Sequence, residues 1–547
     1  MTMNDDSKRI VTLAAQTAVF FAIVFGAITA ALIVWNRSYQ IDEVEHIHAA
    51  YNMRDGRVIY RDFWQGHPPL LYALLVPMID VDDPVSSYHR ARVATGLFLF
   101  TTIGLVAACG WRLAGRAGAL GGSVLALFHT TLIERGMEVR PDGPLGLCTI
   151  LALYLELRGG NAVRRYCAEA AVLGTAFLLT QKAIFPAVAF GGLWLYDAWQ
   201  QRKVRLVIAP ALAWFAPLAV ALLIMLPFGC AREFVQQNIV DAFFAGAGAE
   251  YRGRFSPMPG IIHESLRNVV FVLLALGGIV WSALQRRREL MFLAALAVTT
   301  IIALWLNPFP WPYIHAAALP VLAVVSAVAV AALDERIGMK MTMVALAAGL
   351  AMSTSVPRLL QKTASTTGPQ FATLNEVQRV TECCDTVFDL AGLYFRPDAY
   401  PSAYAMSGEL LRWYGQGGFP RMVPELRRNA CSAVILNYRT RALAGDERKF
   451  ISTHYAHYWG NLFLAGLELT GVAEGTSVPF EVLKMRDFRY EGGGAISVDG
   501  KPFREGMLTE GTHVVRVDRA APSRIIMSTR SPAPPPAPPA ELYVNFD

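Results

Sequence analysis

The run Tyr39-Gln40-Ile41-Asp42-Glu43-Val44-Glu45-His46 follows a long apolar stretch and leads, through a polar segment, to Gly66-His67-Pro68-Pro69-Leu70-Leu71-Tyr72. These two pieces bound a polar insert between the first two hydrophobic segments. Asp42, Glu43 and Glu45 fall within four positions of one another. A charged side chain at the bilayer centre costs about 2.5–3.5 kcal/mol even on the lenient insertion scale. Acids at the mouth of a span are therefore solvated ends or parts of a site in a cavity. A second charged cluster, Glu138-Val139-Arg140-Pro141-Asp142, opens a later apolar segment. Together they point to polar chemistry at a membrane rather than to an inert anchor.

Composition agrees with this reading. Of 547 residues, 54% are hydrophobic and only 17% charged, with a mean hydropathy of +0.36; soluble chains run at about 45–50% apolar and about 25% charged. The apolar excess is concentrated in runs of about twenty residues that stop at Pro357. Eleven spans are expected: Val11–Trp35, Ala91–Trp111, Ala117–Ile133, Pro144–Leu157, Ala168–Leu179, Ala183–Trp199, Leu206–Phe228, Val269–Leu284, Met291–Leu306, Pro312–Leu333 and Met341–Val356. Val11–Trp35 is too long for a signal-peptide core and reads as a retained span. The fold class is thus a polytopic α-helical membrane protein with a soluble C-terminal part. The expected domains are a transmembrane domain over 1–356 with a first outer loop at 36–90, an α/β region over 357–479, and a small β-sandwich-like module over 480–547.

Basic residues stay on the cytoplasmic side. With Lys8-Arg9 inside, eleven spans also put inside the clusters Arg112 to Arg116, Arg158 to Arg165, Arg202 to Arg205, Arg286 to Arg288 and Arg336 to Lys340. The first loop, Arg140-Pro141-Asp142, Lys182, the Cys230–Arg267 loop and the Asn307–Tyr313 turn then share the outer face. The net charge of +6 is a topology signal; without a basic stripe interleaved with aromatics, nucleic-acid binding is excluded. Asp42–Arg54 has helical spacing and ends at Asp55-Gly56. Leu70–Met78 is an apolar segment suited to the membrane surface. The Cys230–Arg267 loop, with Ala245 to Ala249, Arg252 and Arg254, reads as a mobile loop able to order over a ligand.

In the soluble part, Thr386–Leu390 and Ala433–Tyr438 read as buried strands, with helices at Phe371–Thr381 and Ser407–Tyr414. Short strands follow at Ala495–Val498, Gly511–Val517, Arg524–Ser528 and Leu542–Phe546, with Asp499-Gly500 as a turn and Ser531–Pro539 as a Pro-rich loop. Of seven cysteines, Cys431 with Cys383 or Cys384 is the pairing open to a disulfide on an oxidising face. The aromatics of Tyr455-Ala456-His457-Tyr458-Trp459 suit either a core strand or sugar stacking in an acceptor or glycan site.

The order Asp42-Glu43, then Gly56-x-x-x-Tyr60, then His67-Pro68-Pro69-Leu70 resembles the first outer loop of the GT-C glycosyltransferases, nearest the protein O-mannosyltransferases and the lipid A aminoarabinose transferases. Arg140-Pro141-Asp142 is a second matching element. Lys182 and Pro312-Tyr313-Ile314-His315 match more loosely. The resemblance implies transfer of a sugar from a polyprenyl phosphate to an acceptor hydroxyl on a lipid, lipopolysaccharide or cell-envelope glycan, at the outer face of a bacterial inner membrane, with inversion. It assigns Asp42 as the base, with Glu43 orienting it or binding the sugar. Arg140, Lys182 and His67 are candidates to hold the donor phosphate, His67 standing where aminoarabinose transferases carry Lys. Asp142 either pairs with Arg140 and caps its span or positions the acceptor. Tyr313 and His315 either complete the pocket or belong to an interfacial aromatic belt, and Tyr60 is a further substrate-binding candidate. Glu138 is expected to be solvated.

No cofactor is required by this chemistry. A divalent cation on Asp42, Glu45, His46 and His48 is an alternative without any strict ligand spacing. A lipid or glycan transporter would show repeated halves and helices broken at the midplane, which this chain lacks. A non-catalytic glycan-binding membrane protein is the remaining alternative, and intact Asp42 and Arg140 count against it.

Overall fold

A computed structural model describes residues 5–241, 266–306, 312–337, 341–402, 414–443, 445–529 and 541–543. Several expected features lie outside these residues: Arg252, Arg254 and the rest of 242–265, most of the Asn307–Tyr313 turn, most of the Ser407–Tyr414 helix, the Ser531–Pro539 loop, and the Leu542–Phe546 strand beyond Tyr543. The chain divides into two compact units. The first is Met1–Arg37, Gly66–Leu74 and His89–Ser365; the second is Ser38–Gln65, Leu75–Tyr88 and Thr366–Asp547.

The first unit is helical. Among the described residues, six helices are long and apolar enough to cross a membrane: Arg9–Asn36, Pro84–Leu127, Arg205–Phe228, Arg288–Leu306, His315–Ile337 and Thr342–Gln361. The other expected spans are shorter helices, Asp142–Arg158, Ala162–Phe177, Ile184–Gln201 and Val269–Leu284. The loop expected between Ala91–Trp111 and Ala117–Ile133 is a tight reversal at Ala114 and Gly115. Two helices lie within Pro84–Leu127 and meet at these two non-helical residues, where glycine takes φ +61°. They fold back on each other, so that Gly110 lies against the Gly118 carbonyl and Gly122 against Val106.

Small residues set the packing. The helix His315–Ile337, rich in Ala and Val, is the most enclosed, with 78% of its apolar window buried. Gly278 lies against the Val325 carbonyl and Gly174 against that of Trp214, positions where any side chain would clash. By contrast Arg205–Phe228 keeps Leu212, Phe215, Leu223 and Ile224 exposed, as a lipid-facing helix requires. At the C-terminal end of the helix Asp142–Arg158, buried Glu156 pairs with Arg165 at 2.9 Å and with Arg288, which also reaches Asp197 at 2.7 Å.

The second unit joins part of the first loop to the C-terminal region. The helix Ile41–Arg54 starts on a capping box between Gln40 and Glu43 and stops at Asp55-Gly56, with Gly56 at φ +90°. The helix Gly368–Val380 carries Gln370, whose amide bonds both the N–H and the C=O of Tyr39 (2.9 and 2.7 Å).

The strands are β1 (Val387–Phe388), β2 (Ala433–Ile435), β3 (Tyr455–Trp459), β4 (Leu462–Glu468), β5 (Ser477–Val482), β6 (Arg486–Gly492), β7 (Ala495–Val498), β8 (Lys501–Phe503), β9 (Glu505–Leu508), β10 (Gly511–Arg519) and β11 (Ser523–Met527). One seven-stranded sheet has the order β1-β2-β4-β11-β6-β9 with β3 on β4, and a four-stranded sheet has the order β5-β10-β7-β8. Only the β1–β2 pair is described as parallel. Asp499-Gly500, both at positive φ, turns β7 into β8 as a tight hairpin.

Three expectations are corrected here, and one open alternative is resolved. A boundary at 479/480 does not separate two modules, because β11 pairs with both β4 and β6 in one sheet. The strand expected at Ala433–Tyr438 ends at Ile435, because Asn437 caps a short helix, Tyr438–Arg441. No disulfide joins Cys431 to Cys383 or Cys384: all three are free, and Cys431 is buried while the other two are exposed. Burial pushes the Cys431 thiol up to about 12. Finally, Tyr455, Tyr458 and Trp459 are buried and belong to the core of the sheet; Tyr455 donates to the Cys431 carbonyl and Tyr458 accepts from Arg379.

Candidate functional site

In the helical unit, four residues singled out from the sequence converge. The Arg140-Pro141-Asp142 turn places Asp142 at the N-terminus of its helix, where a carboxylate is favoured by the helix dipole. Lys182 sits in the turn Gln181–Ala183 between two helices, capped by Thr180. Its ammonium donates to Asp142 Oδ1 at 2.7 Å. Arg140 Nε lies 3.8 Å from Asp142 Oδ2, and the Arg140 guanidinium stacks 3.3 Å above the Tyr313 ring, with Lys182 Nζ 5.1 Å from the same ring. Asp142 pairs with Arg140 at the start of its helix, as one of its two readings has it, and pairs more closely with Lys182. Tyr313 is bound to this cluster rather than being a free belt aromatic. His315 opens the helix that follows the Tyr313 turn.

His67 belongs to the same unit. Gln181 donates to the Gly66 carbonyl at 3.1 Å, and the Leu70 N–H donates to the Leu178 carbonyl at 3.0 Å. The His67-Pro68-Pro69 segment is thereby fastened, on both flanks, to the turn that carries Lys182.

Glu138 is a correction. Its carboxylate is fully buried, not solvated, and meets Arg135 at 2.8 Å and Arg37 at 3.1 Å, with Arg140 at 4.0 Å. Arg37 also donates to the Glu134 carbonyl, and buried Arg92 donates to the Arg37 carbonyl at 3.2 Å. Arg37, Arg92 and Arg135 were not recognisable as site residues from sequence, since basic residues near span ends serve topology first. Among the described residues, Asp142 Oδ2 and Glu138 Oε2 are buried without a hydrogen-bond partner. Such acceptors are held by charge at 3.8–4.0 Å rather than by saturated hydrogen bonds.

Beside Lys182 lies a narrow cleft of about 40 Å³, lined by Leu145, Thr149, Phe185, Pro186 and Ile314. A cation at the edge of an apolar wall is the arrangement that an amphiphile with an anionic head requires.

Asp42, Glu43 and Tyr60 belong to the other unit. Asp42 stands in the first turn of its helix, about a quarter exposed, and its Oδ1 accepts from Arg439 Nη2 at 2.7 Å. Glu43 is fully buried and accepts the Gln40 N–H at 2.9 Å, a capping role. Tyr60 is buried at φ +71°, its N–H donating to the Phe63 carbonyl; it shapes a turn. The proposed cation ligands do not converge. His48 bridges the Tyr394 carbonyl (2.8 Å) and Asp398 (2.7 Å), Asp42 faces Arg439, and Gln65 approaches Glu45 at 3.5 Å. Among the described residues, no group of three His, Cys, Asp or Glu side chains is placed to hold a metal ion, so no step here is routed through one.

Asp398 is the hub of this unit and was missed by the sequence reading. Its buried carboxylate accepts from His48, Tyr394 (2.8 Å), Asn52 (2.8 Å) and Arg57 (3.4 Å). Burial would raise its pKa, but His48 and Arg57, with the Tyr394 hydrogen bond, hold it below the ordinary carboxylate value. Gly392, at φ +87°, lies directly over His48, where a side chain would collide. A hollow of about 660 Å³ in this unit is lined by Asp55, Arg57, Asp62, Asp398, Arg428 and Lys484 and includes none of the site residues expected from the sequence.

No protein-family model matches the chain, and no curated protein matches it. In three dimensions it is similar to ArnT from Cupriavidus metallidurans in the apo state, with a TM-score of 0.53 at 14% identity over 92% of this chain and 99% of that one. The same protein bound to undecaprenyl phosphate aligns with a TM-score of 0.51 at 14% identity, over 91% and 98% of the two chains. The archaeal oligosaccharyltransferase AglB from Archaeoglobus fulgidus, in complex with an inhibitory peptide and a dolichol-phosphate, aligns with a TM-score of 0.51 at 10% identity, over 93% and 95%. Helical and C-terminal units alike are spanned by these alignments, and the chain has the fold of the GT-C glycosyltransferases.

Proposed function

We propose that this protein is a membrane glycosyltransferase that moves a sugar from a polyprenyl phosphate to an acceptor hydroxyl, acting at the periplasmic face of a bacterial inner membrane with its N-terminus in the cytoplasm. The observation that carries the proposal is the Arg140–Lys182–Asp142–Tyr313 cluster beside an apolar cleft. Support comes from the similar folds that hold undecaprenyl phosphate and dolichol-phosphate.

The residues have the chemistry for each part. Attack of the acceptor oxygen on the anomeric carbon breaks the bond from that carbon to the phosphate oxygen, and the electron pair leaves on the polyprenyl phosphate. Negative charge grows on that phosphate, so cations aimed at it lower the barrier. Arg140 supplies a planar fork suited to phosphate oxygens, and Lys182 a point charge. Asp142 and Tyr313 keep both cations in place before the donor arrives. Resemblance of the first loop assigns the acceptor proton to Asp42, whose carboxylate is partly exposed and paired with Arg439. Backside attack gives inversion.

The test is transfer in nanodiscs from a panel of radiolabelled undecaprenyl-phosphate sugars into total membrane lipid and glycan, with wild type against Asp42→Asn. Transfer lost in the variant while donor binding persists supports the assignment. Undiminished transfer removes Asp42 as the base, and no transfer from any donor by folded wild type removes the enzyme reading.

A further inference from the structure

Arg439 is nine-tenths buried or more, yet it ends on a partly exposed carboxylate rather than on a buried one. Desolvating a guanidinium costs several kcal/mol unless the charge is well paired, so its placement needs a reason. The surroundings are built to hold it. Asn437 caps the helix Tyr438–Arg441, accepting the N–H groups of Arg439 and Thr440, while the Thr440 hydroxyl accepts the Asn437 N–H. The Asn437 amide donates to the Asp389 carbonyl at 2.6 Å. Asp389, also fully buried, accepts the N–H groups of Ala391, Gly392 and Leu393. That turn carries Leu390, at φ +59°, whose carbonyl receives Arg439 Nη1 at 3.4 Å. Asp389 and Asn437 follow β1 and β2, the adjacent parallel strands, at their carboxyl ends, where α/β sheets present polar groups to ligands.

Resting on the reading of Asp42 as the base, we infer that Arg439 is a positioning residue for the transfer, fixing the direction of the Asp42 carboxylate and setting a permanent positive charge against it. Arg439 holds Asp42 Oδ1, and the Asp42 side chain is about a quarter exposed. Burial disfavours the charge on Arg439, but Asp42, Tyr438 and Glu45 outweigh it and keep the guanidinium firmly protonated. Tyr438 and Tyr543, whose rings lie edge to face, are the other titratable groups around the pair; burial holds both phenols neutral. Glu45 is a further carboxylate near Arg439 and, like Asp42, favours its charge.

The experiment is the pH dependence of turnover, with the undecaprenyl-phosphate sugar that the donor panel shows to be used, for wild type, Arg439→Gln, Arg439→Lys and Asp42→Asn. Without the cation, the carboxylate ionises less readily. Arg439→Gln is therefore expected to move the acid limb of the profile up by about one pH unit or more, with the KM for donor little changed. Arg439→Lys keeps the charge and loses the planar fork, so the limb stays near wild type while kcat falls severalfold. A folded Arg439→Gln with an unmoved limb overturns the inference while leaving Asp42 as base, provided Asp42→Asn is inactive. If Arg439→Gln does not fold, Arg439→Lys decides, since a kcat equal to wild type shows that orientation by the guanidinium contributes nothing. Full activity of Asp42→Asn overturns the parent reading and the inference with it.

Discussion

Asp398 and Asp142 are both buried carboxylates facing more than one cationic or polar donor, and they are held in opposite ways. Asp398 is saturated: His48, Tyr394, Asn52 and Arg57 occupy both of its oxygens. Asp142 has one short bond, to Lys182, and a second oxygen that Arg140 reaches only at 3.8 Å. Lys182 is a quarter exposed. A saturated hub has nothing left to exchange and serves to fix a fold. A loosely satisfied cluster at an apolar cleft can trade a partner for a ligand. The contrast shows why composition alone, an acid among bases, does not separate scaffold from site.

Substitution at each carboxylate tests that distinction. Asp398→Ala leaves His48 and Arg57 without their partner, and breaking a buried pair costs about 3–5 kcal/mol. The expected result is loss of the C-terminal unit's cooperative melting and rapid proteolysis of 366–547. A variant that melts like wild type would show that the hub is not saturated after all. Lys182→Met is expected to leave melting nearly unchanged and to lower turnover by about 100- to 1000-fold, the usual effect of losing one donor to a developing anion. A melting loss as large as that of Asp398→Ala would make the cluster structural.

Acidification sharpens the comparison further. The folded pKa of Asp398 lies below its unfolded value, as does that of Asp385, where burial is outweighed by Arg486. Their stabilisation is complete above the unfolded value of about 4 and is lost as pH falls through the folded values. Asp389 runs the other way, raised by burial, and partly offsets them. The C-terminal unit should lose stability below about pH 4, measured as its melting midpoint between pH 6 and 3, and Asp398→Asn should flatten that curve. The smallest effect is at Glu43. Loss of its capping bond in Glu43→Ala should cost about 1 kcal/mol and reduce transfer modestly. A complete loss of transfer without a change in melting would instead give Glu43 a role in the reaction.

Much of the helical unit was legible because hydropathy is a local property, and each expected span coincides largely with helix. The loop between the second and third spans is a reversal at Ala114-Gly115, tighter than apolarity alone could show because backbone angles set it. Arg140, Asp142, Lys182 and Tyr313 could be picked out because motif spacing marked them at the ends of spans. Glu138 was misread because Arg37, Arg135 and Arg140 surround it, and no sequence window contains Arg37 and Glu138 together. Arg439 and Asp398 were invisible for the same reason. Each acts across more than 300 residues of chain on the helix Ile41–Arg54, and neither stands in a recognisable local pattern.

The weaving of residues 38–65 and 75–88 into the C-terminal unit has a consequence for biosynthesis. In the proposed topology the first loop is made and exported early, but the arginine that pairs with its Asp42 lies 397 residues further on. At about 5–20 residues per second, the ribosome needs roughly 20–80 s to supply it. During that interval the helix Ile41–Arg54 waits outside the membrane without Tyr394, Phe395 and Asp398, which pack against it, open to proteases and quality-control factors. Shortened chains ending near residue 360 would prolong that wait indefinitely, and would lose not a tail but the ordered state of their own beginning.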